Sequence, residues 1–421
     1  MMGFTTLPSG PLTLQNLTVP DCFLGGDGDL SAITLHIRDG EISNQPGQLV
    51  DMKGAMVFPA FVDMHTHLDK GHIWPRAANP DGSFEGALAT VGADRQAHWT
   101  AEDVAARMDF AMRCSYAHGT RALRTHLDSI PPQDDISWPV FKELRTEWKG
   151  RIDLQAACLV GCDHVSADGA FAHTADLVAE ADGVLGMVAY PVPDIEDRVR
   201  VFFEMARARG LSADFHVDET LDPSSETLRV VALAVLEMGF DAPVTVGHLC
   251  SLSTQDPARA EDTMDLVARA GLNVVSLPMC NLYLQDRQAG TPRGRGVTLV
   301  HEMKARGINV SFASDNTRDP FYAYGDLDMI EVMREATRIS HLDHAALDWS
   351  HAFVTNPAKA CGFDAPSIAP GAPADLVICR ARSWTELFAR PQADRMVLRA
   401  GVQIDRTLPD YAELDPFMRM S

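Results

Sequence analysis

Between residues 60 and 360 short apolar stretches alternate with longer amphipathic ones. That alternation predicts parallel strands, each followed by a helix packed outside them. Eight strands can be placed, near Ala60–Met64, Thr120–Thr125, Asp153–Leu159, Gly183–Tyr190, Ser212–Phe215, Val244–Gly247, Asn273–Pro278 and Asn309–Ala313. Helical periodicity separates most of them, as in AEDVAARMDFAMRCSYAHG and EDTMDLVARAGLN, and Gly119 and Gly271 are placed to stop those helices. The ends read differently. AITLHIRDGEI near the start, and PADLVICR and DRMVLRAGVQI near the finish, alternate with turn residues between them and predict antiparallel strands. The expectation is an α/β chain with a (β/α)8 TIM-type barrel over 60–360, and a small β domain built jointly from 1–59 and 361–421. No internal repeat or low-complexity tract interrupts this organisation.

Composition narrows the partners. With 421 residues and 46% hydrophobic content the chain can bury a large core. The 58 acidic residues outnumber 36 basic ones, and a formal charge of −22 repels phosphate backbones and anionic membranes, so no nucleic-acid or membrane partner is expected. Neither a long apolar run nor a basic-then-apolar start is present, which makes the cytoplasm the expected location. Eight scattered cysteines lack the spacing of a zinc knuckle or a disulfide scaffold and read as reduced; Cys158 and Cys162 read as core residues. A homo-oligomer is compatible with the sequence but not specified by it.

The chemistry sits where strands hand over to loops, the face on which barrel enzymes build their sites. MVFPAFVDMHTHLDK delivers His65 and His67, whose alternate positions in an extended chain point the same way. LSADFHVDE adds His216 and, three residues on, Glu219, of the right type and place to carry protons beside an ion. INVSFASDN carries Asp315 just after its apolar run, either a fourth ligand or a helix cap, and PVTVGHL carries His248, which poses the same choice between site and structure. Three imidazoles and a carboxylate suit one divalent ion, Zn²⁺ or Fe²⁺, with an open position for a water whose pKa falls towards about 7, giving a metal-bound hydroxide nucleophile. The fourth predicted strand, GVLGMVAYP, has no Lys, Asp or Glu to bridge a second ion, so one metal is expected. Gln285 could bind substrate or a loop backbone, Arg293 and Arg295 could reach an anionic group or remain solvated, and His126, Tyr190 and Asp69 also fall near strand ends.

These segments resemble the amidohydrolase superfamily, and within it the bacterial cytosine deaminase family. FVDMHTHLDK, TRALRTHLDS, IDLQ, DFHVDE, VTVGHL, NLYLQDR, TPRGRGVTLVHEMKARGINVSFASDNTRDPFYAYG and the GAPADLVI tail follow in that family's order through most of the chain. The resemblance implies a (β/α)8 barrel with a small β-sandwich. It assigns His65, His67, His216 and Asp315 as metal ligands, Glu219 as proton shuttle and His248 as the histidine that orients the hydroxide, with Asp315 also able to accept the water proton. The departures concern substrate. Gly161 stands where the family has a pyrimidine-binding glutamine, Asn316 where it has a second aspartate, and Phe321 where it has a tryptophan. An amide donates as well as accepts hydrogen bonds, so Asn316 should favour a different pattern on the ring. The expected activity is hydrolytic deamination of a small amino-substituted N-heterocycle, cytosine or a cytosine-like ring, with release of ammonia. Hydrolysis of a cyclic amide or of an N-substituted triazine- or hydantoin-like compound is the alternative; a barrel that has lost catalysis fits poorly with a complete ligand set.

Overall fold

The computed structural model describes residues 5–167 and 169–418. Five strands come from the start of the chain: β1 (Leu12–Pro20), β2 (Leu30–Arg38), β3 (Glu41–Ser43), β4 (Gln48–Asp51) and β5 (Met56–Pro59). Eight parallel strands follow: β6 (Phe61–Thr66), β7 (Thr120–Asp128), β8 (Asp153–Leu159), β9 (Leu185–Ala189), β10 (Ala213–Val217), β11 (Val244–His248), β12 (Asn273–Ser276) and β13 (Asn309–Phe312). The tail supplies β14 (Leu376–Cys379), β15 (Met396–Arg399) and β16 (Val402–Gln403).

The parallel strands form a three-stranded sheet, β6-β7-β8, and a five-stranded sheet, β13-β12-β11-β10-β9. Isolated parallel bridges join the two at both seams: Ala157 to Val184 and Gly161 to Val188 between β8 and β9, and Thr66 to Asp315 beyond β6 and β13. Burial explains the composition of these strands. Every residue of β6, β10 and β11 is buried, as expected where helices cover one face and side chains fill the other. Helices separate most successive strands. Ser83 and Thr100 cap two of them through their hydroxyls, and Gly119, with φ of 107°, terminates the second.

The eight predicted strands all occur, with ends shifted by up to a few residues. The largest difference is at the end of β7, which runs past the expected Thr125 to Asp128; Pro278 begins a short helix, Pro278–Leu284, and Gly183 precedes β9. The two chain ends pair with each other as expected, because β14 lies antiparallel to β5. Their hydrogen bonding gives one continuous eight-stranded mixed sheet around its own apolar core of residues such as Leu14, Val19, Ile37, Val57, Ile378 and Leu398. The tail also contains a helix, Trp384–Ala389, capped by Ser383, where the pattern alone gives only strands. All eight cysteines are free and buried; Cys158 and Cys162 bond to backbone carbonyls of Gly186 and Tyr190 and belong to the core. Among the described residues no helix is long and apolar enough to cross a membrane.

Candidate active site

His65 lies near the end of β6 and His67 just past it, His216 lies in β10 and Asp315 just past β13. Their ligand atoms converge. His65 Nε2 is 3.1 Å from His216 Nε2, His216 Nε2 is 3.4 Å from His67 Nε2, and Asp315 Oδ1 is 3.2 Å from His67 Nε2 and 3.5 Å from His65 Nε2. Ligands at ~2.0–2.1 Å around a tetrahedral ion stand ~3.3 Å apart, so the spacing fits one divalent cation. The chemistry of the donors fits too. Burial holds His65, His67 and His216 well below the usual imidazole range, so they are neutral with lone pairs to give. Burial pushes Asp315 up to about 7, a cost that a cation beside the carboxylate removes. Among the described residues, apart from the cluster's own imidazoles, no donor other than the neighbouring Cys280 thiol approaches the Asp315 carboxylate.

Local backbone geometry aims these groups. Asp315 and His248 have left-handed φ of 65° and 75°, as does Asp218 at 51°, a conformation that costs a non-glycine residue ~1 kcal/mol or more. Each stands where a strand turns into its loop. The cost is supported locally: Asp218 accepts hydrogen bonds from Ser225 Oγ, Thr227 N and Oγ1, and Leu228 N, capping the helix Thr227–Met238 and fixing the loop that carries Glu219. Buried Asp63 likewise accepts from Ser314 N at 3.1 Å and from Ser314 Oγ, tying β6 to the turn before Asp315.

Glu219 and His248 stand beside the ligand cluster. Glu219 Oε1 lies 3.3 Å from His248 Nδ1, and Asn281 Nδ2 reaches both, at 3.2 Å and 2.9 Å. Burial, reinforced by Asp315, holds the Glu219 carboxyl well above the usual carboxylate range, while burial pushes His248 down to about 3. A carboxyl whose proton affinity is raised by burial and a neutral imidazole therefore face the cluster, a pairing suited to delivering and retrieving protons.

A cavity of ≈ 900 Å³ opens above this group. Gly161, Gln285, Asn316 and Phe321, the four substrate-contact candidates, all line it. Gln285 Nε2 donates to the Glu219 carbonyl at 3.1 Å, and Asn316 Nδ2 donates to Asp319 Oδ2 at 2.8 Å, leaving Asn316 Oδ1 facing the Cys280 thiol. Phe321 meets Phe84 edge-on at 5.5 Å, and the Lys70 ammonium lies 5.2 Å from the Phe321 ring centre. A Cβ on Gly161 would collide with the Asp163 carboxylate and come within 2.9 Å of the Tyr190 hydroxyl. Arg293 and Arg295 are not among the lining residues. His126 lies under the cluster, bonded to Asp214 Oδ1 at 2.9 Å and the Thr66 carbonyl at 3.3 Å, and is held within the core. Asp69 is also buried, accepting from Asp128 N at 2.8 Å, while Tyr190 lines the cavity rim and donates to Asp163.

Several residues here escape the sequence reading. Lys70, paired with Asp128 at 3.0 Å, lines the cavity together with Arg95, which holds the other Asp128 oxygen at 2.8 Å. Lys70 closes the HTHLDK segment, which was a usable signal; Asn281 and Asp128 carry none, because only folding brings them to the site.

Residues 48–113 and 161–405 match the family model described as "Amidohydrolase family". Pterin deaminase of Rhizobium rhizogenes is 52% identical over 417 residues, spanning 96% of this chain and 95% of that protein. N-isopropylammelide isopropyl amidohydrolase of Pseudomonas sp. (strain ADP) is 23% identical over 79% of this chain and 82% of its own length. The crystal structure of 5-methylcytosine deaminase from Klebsiella pneumoniae, liganded with 5-fluorocytosine, superposes with a TM-score of 0.80 at 25% identity, covering 95% of this chain and 98% of that one.

Proposed function

The chain belongs to the amidohydrolase family, and from that premise we propose that it is a hydrolytic deaminase whose ring is a pterin or a close bicyclic relative, bearing an amino group on a carbon between two ring nitrogens. The observation that carries the reaction type is Glu219: a largely buried carboxyl whose proton affinity burial raises, hydrogen-bonded to Asn281 and standing next to four converging ligand atoms. One divalent ion, Zn²⁺ or Fe²⁺, held by His65, His67, His216 and Asp315, would supply an acidified water. Glu219 delivers a proton to the ring nitrogen next to the amino-bearing carbon, then carries one from the water to the departing amine, so that ammonia rather than amide ion leaves. His248 supports the forming tetrahedral carbon through a hydrogen bond to its oxygen.

Two features support a bicyclic ring over cytosine. Gly161 carries no side chain where a longer one would occupy the cavity wall, and the relative 52% identical along nearly the whole chain is a pterin deaminase. Asn316, Gln285, Phe321 and Phe84 are the groups we assign to the ring: aromatic edges to sandwich it and amides to read its donor and acceptor pattern. In the same reading the bridged parallel strands form a closed (β/α)8 barrel over 60–360, and the terminal sheet is a small sandwich-like domain of 1–59 and 361–421. Ammonia release from pterin and from cytosine by Zn²⁺- or Fe²⁺-loaded protein tests the assignment. Faster turnover of pterin supports it, faster turnover of cytosine restores the monocyclic reading, and amine or ring-opened product without ammonia selects the alternative of an N-substituted or cyclic-amide substrate.

A further inference from the structure

We propose that Asn281 is a positioning residue: its single amide group, by donating one hydrogen to Glu219 Oε1 and the other to His248 Nδ1, orients the proton shuttle and fixes the tautomer of the histidine beside it. The inference rests on the deaminase reading for its catalytic consequence, but not for its structural one. Asn281 is 1% exposed and sits in the short helix Pro278–Leu284, one side of which faces the site. Its Nδ2 lies 2.9 Å from His248 Nδ1 and 3.2 Å from Glu219 Oε1, and an NH₂ group has two hydrogens for two such acceptors. Once His248 Nδ1 accepts, the one proton of the neutral ring must reside on Nε2. That nitrogen is buried with no hydrogen-bond partner among the described residues. The ring itself lies 5.0 Å from that of His216 and 5.4 Å from that of His65, and a nitrogen of His248 falls in one tight group with His65 and Asp315. Asn281 thus turns His248 into a hydrogen-bond donor directed at the place where oxygen must attack. Without it, Glu219 at 3.3 Å would compete for the Nδ1 hydrogen and leave Nε2 as an acceptor.

The discriminating variant is Asn281→Asp, which keeps shape but replaces a double donor with an acceptor, so Nδ1 takes the proton and Nε2 loses it. Asn281→Ala removes the bonds without imposing the opposite tautomer. On Zn²⁺-loaded protein, ¹⁵N resonances of the imidazoles report the tautomer directly, with the His248 signals assigned as those missing from His248→Asn. The expected result is an Nε2–H tautomer in the parent and an Nδ1–H tautomer in Asn281→Asp. With pterin, kcat should fall by ~10²-fold or more in Asn281→Asp, and less in Asn281→Ala, while KM and bound zinc stay close to the parent's. An Nδ1–H tautomer in the parent overturns the proposal. So does an Asn281→Asp protein that keeps its kcat, or one whose loss lies wholly in KM or zinc content. Absence of ammonia release from the parent itself would sink the deaminase reading, whereas the imidazole spectra would still decide the role of Asn281.

Discussion

At the level of single residues, the candidate ligand set is readable because its spacing is that of an extended chain. His65 lies on β6 and His67 follows just past its end, His216 lies in β10, and Asp315 comes shortly after the apolar strand β13. Glu219 is readable for the same reason, three residues beyond a ligand. Replacing Glu219 by Gln removes the movable proton but keeps size and hydrogen bonding, so turnover should fall by at least ~10²-fold with metal retained; assay of ammonia beside metal analysis checks this, and loss of metal would reassign the residue. Gly161 makes a second prediction. Gly161→Gln places a long side chain against Asp163 and Tyr190 on the cavity wall, and kcat/KM for pterin should fall roughly 10–200-fold relative to that for cytosine, measured on the two substrates side by side. Lys70 was signalled by the HTHLDK segment, whereas Asn281 and Asp128, though inside NLYLQDR and TRALRTHLDS, had illegible roles, since their meaning depends on what lies 3 Å away in space.

At the level of elements, periodicity located the strands and helices, because burial on both faces keeps β6, β10 and β11 mostly apolar, with Asp63, Asp214 and Thr245 the buried polar exceptions ahead of the histidines. It could not locate the turns that aim the site. Asp218 reads as one more acid in HVDE, yet it receives four hydrogen bonds, from Ser225, Thr227 and Leu228, that fix the loop after β10. Asp218→Ala leaves those buried donors without an acceptor and should lower stability by ~2–4 kcal/mol, seen as a lower urea midpoint with an unchanged slope. The helix Trp384–Ala389 was missed because its six residues are too few to display a period.

At the level of the whole molecule, the pairing of both chain ends was legible, but the ties between that sheet and the parallel strands were not. One such tie is Arg395, which grips Asp328, the cap of the helix Met329–Ser340, through two guanidinium nitrogens; Nη1 is 2.6 Å from Oδ1. Burial alone would raise the Asp328 carboxyl, but Arg395, helped by His118, holds it well below the usual carboxylate range. A depressed carboxyl contributes stability in full above its unfolded pKa of ~3.9 and loses it as pH falls through the lower folded value. Arg395→Met should therefore cost ~3–5 kcal/mol at pH 7, and the gap between variant and parent should narrow below about pH 4, as urea titrations across that range would show. The terminal sheet also has a consequence in time. The strand just before β6, which carries His65, is β5, and its antiparallel partner β14 does not begin until Leu376. At ~5–20 residues per second a ribosome needs roughly 15–60 s to travel from one to the other. Over that interval β5 has no β14 to pair with, and the candidate cluster gains Asp315 only long after His65 and His67 have been made.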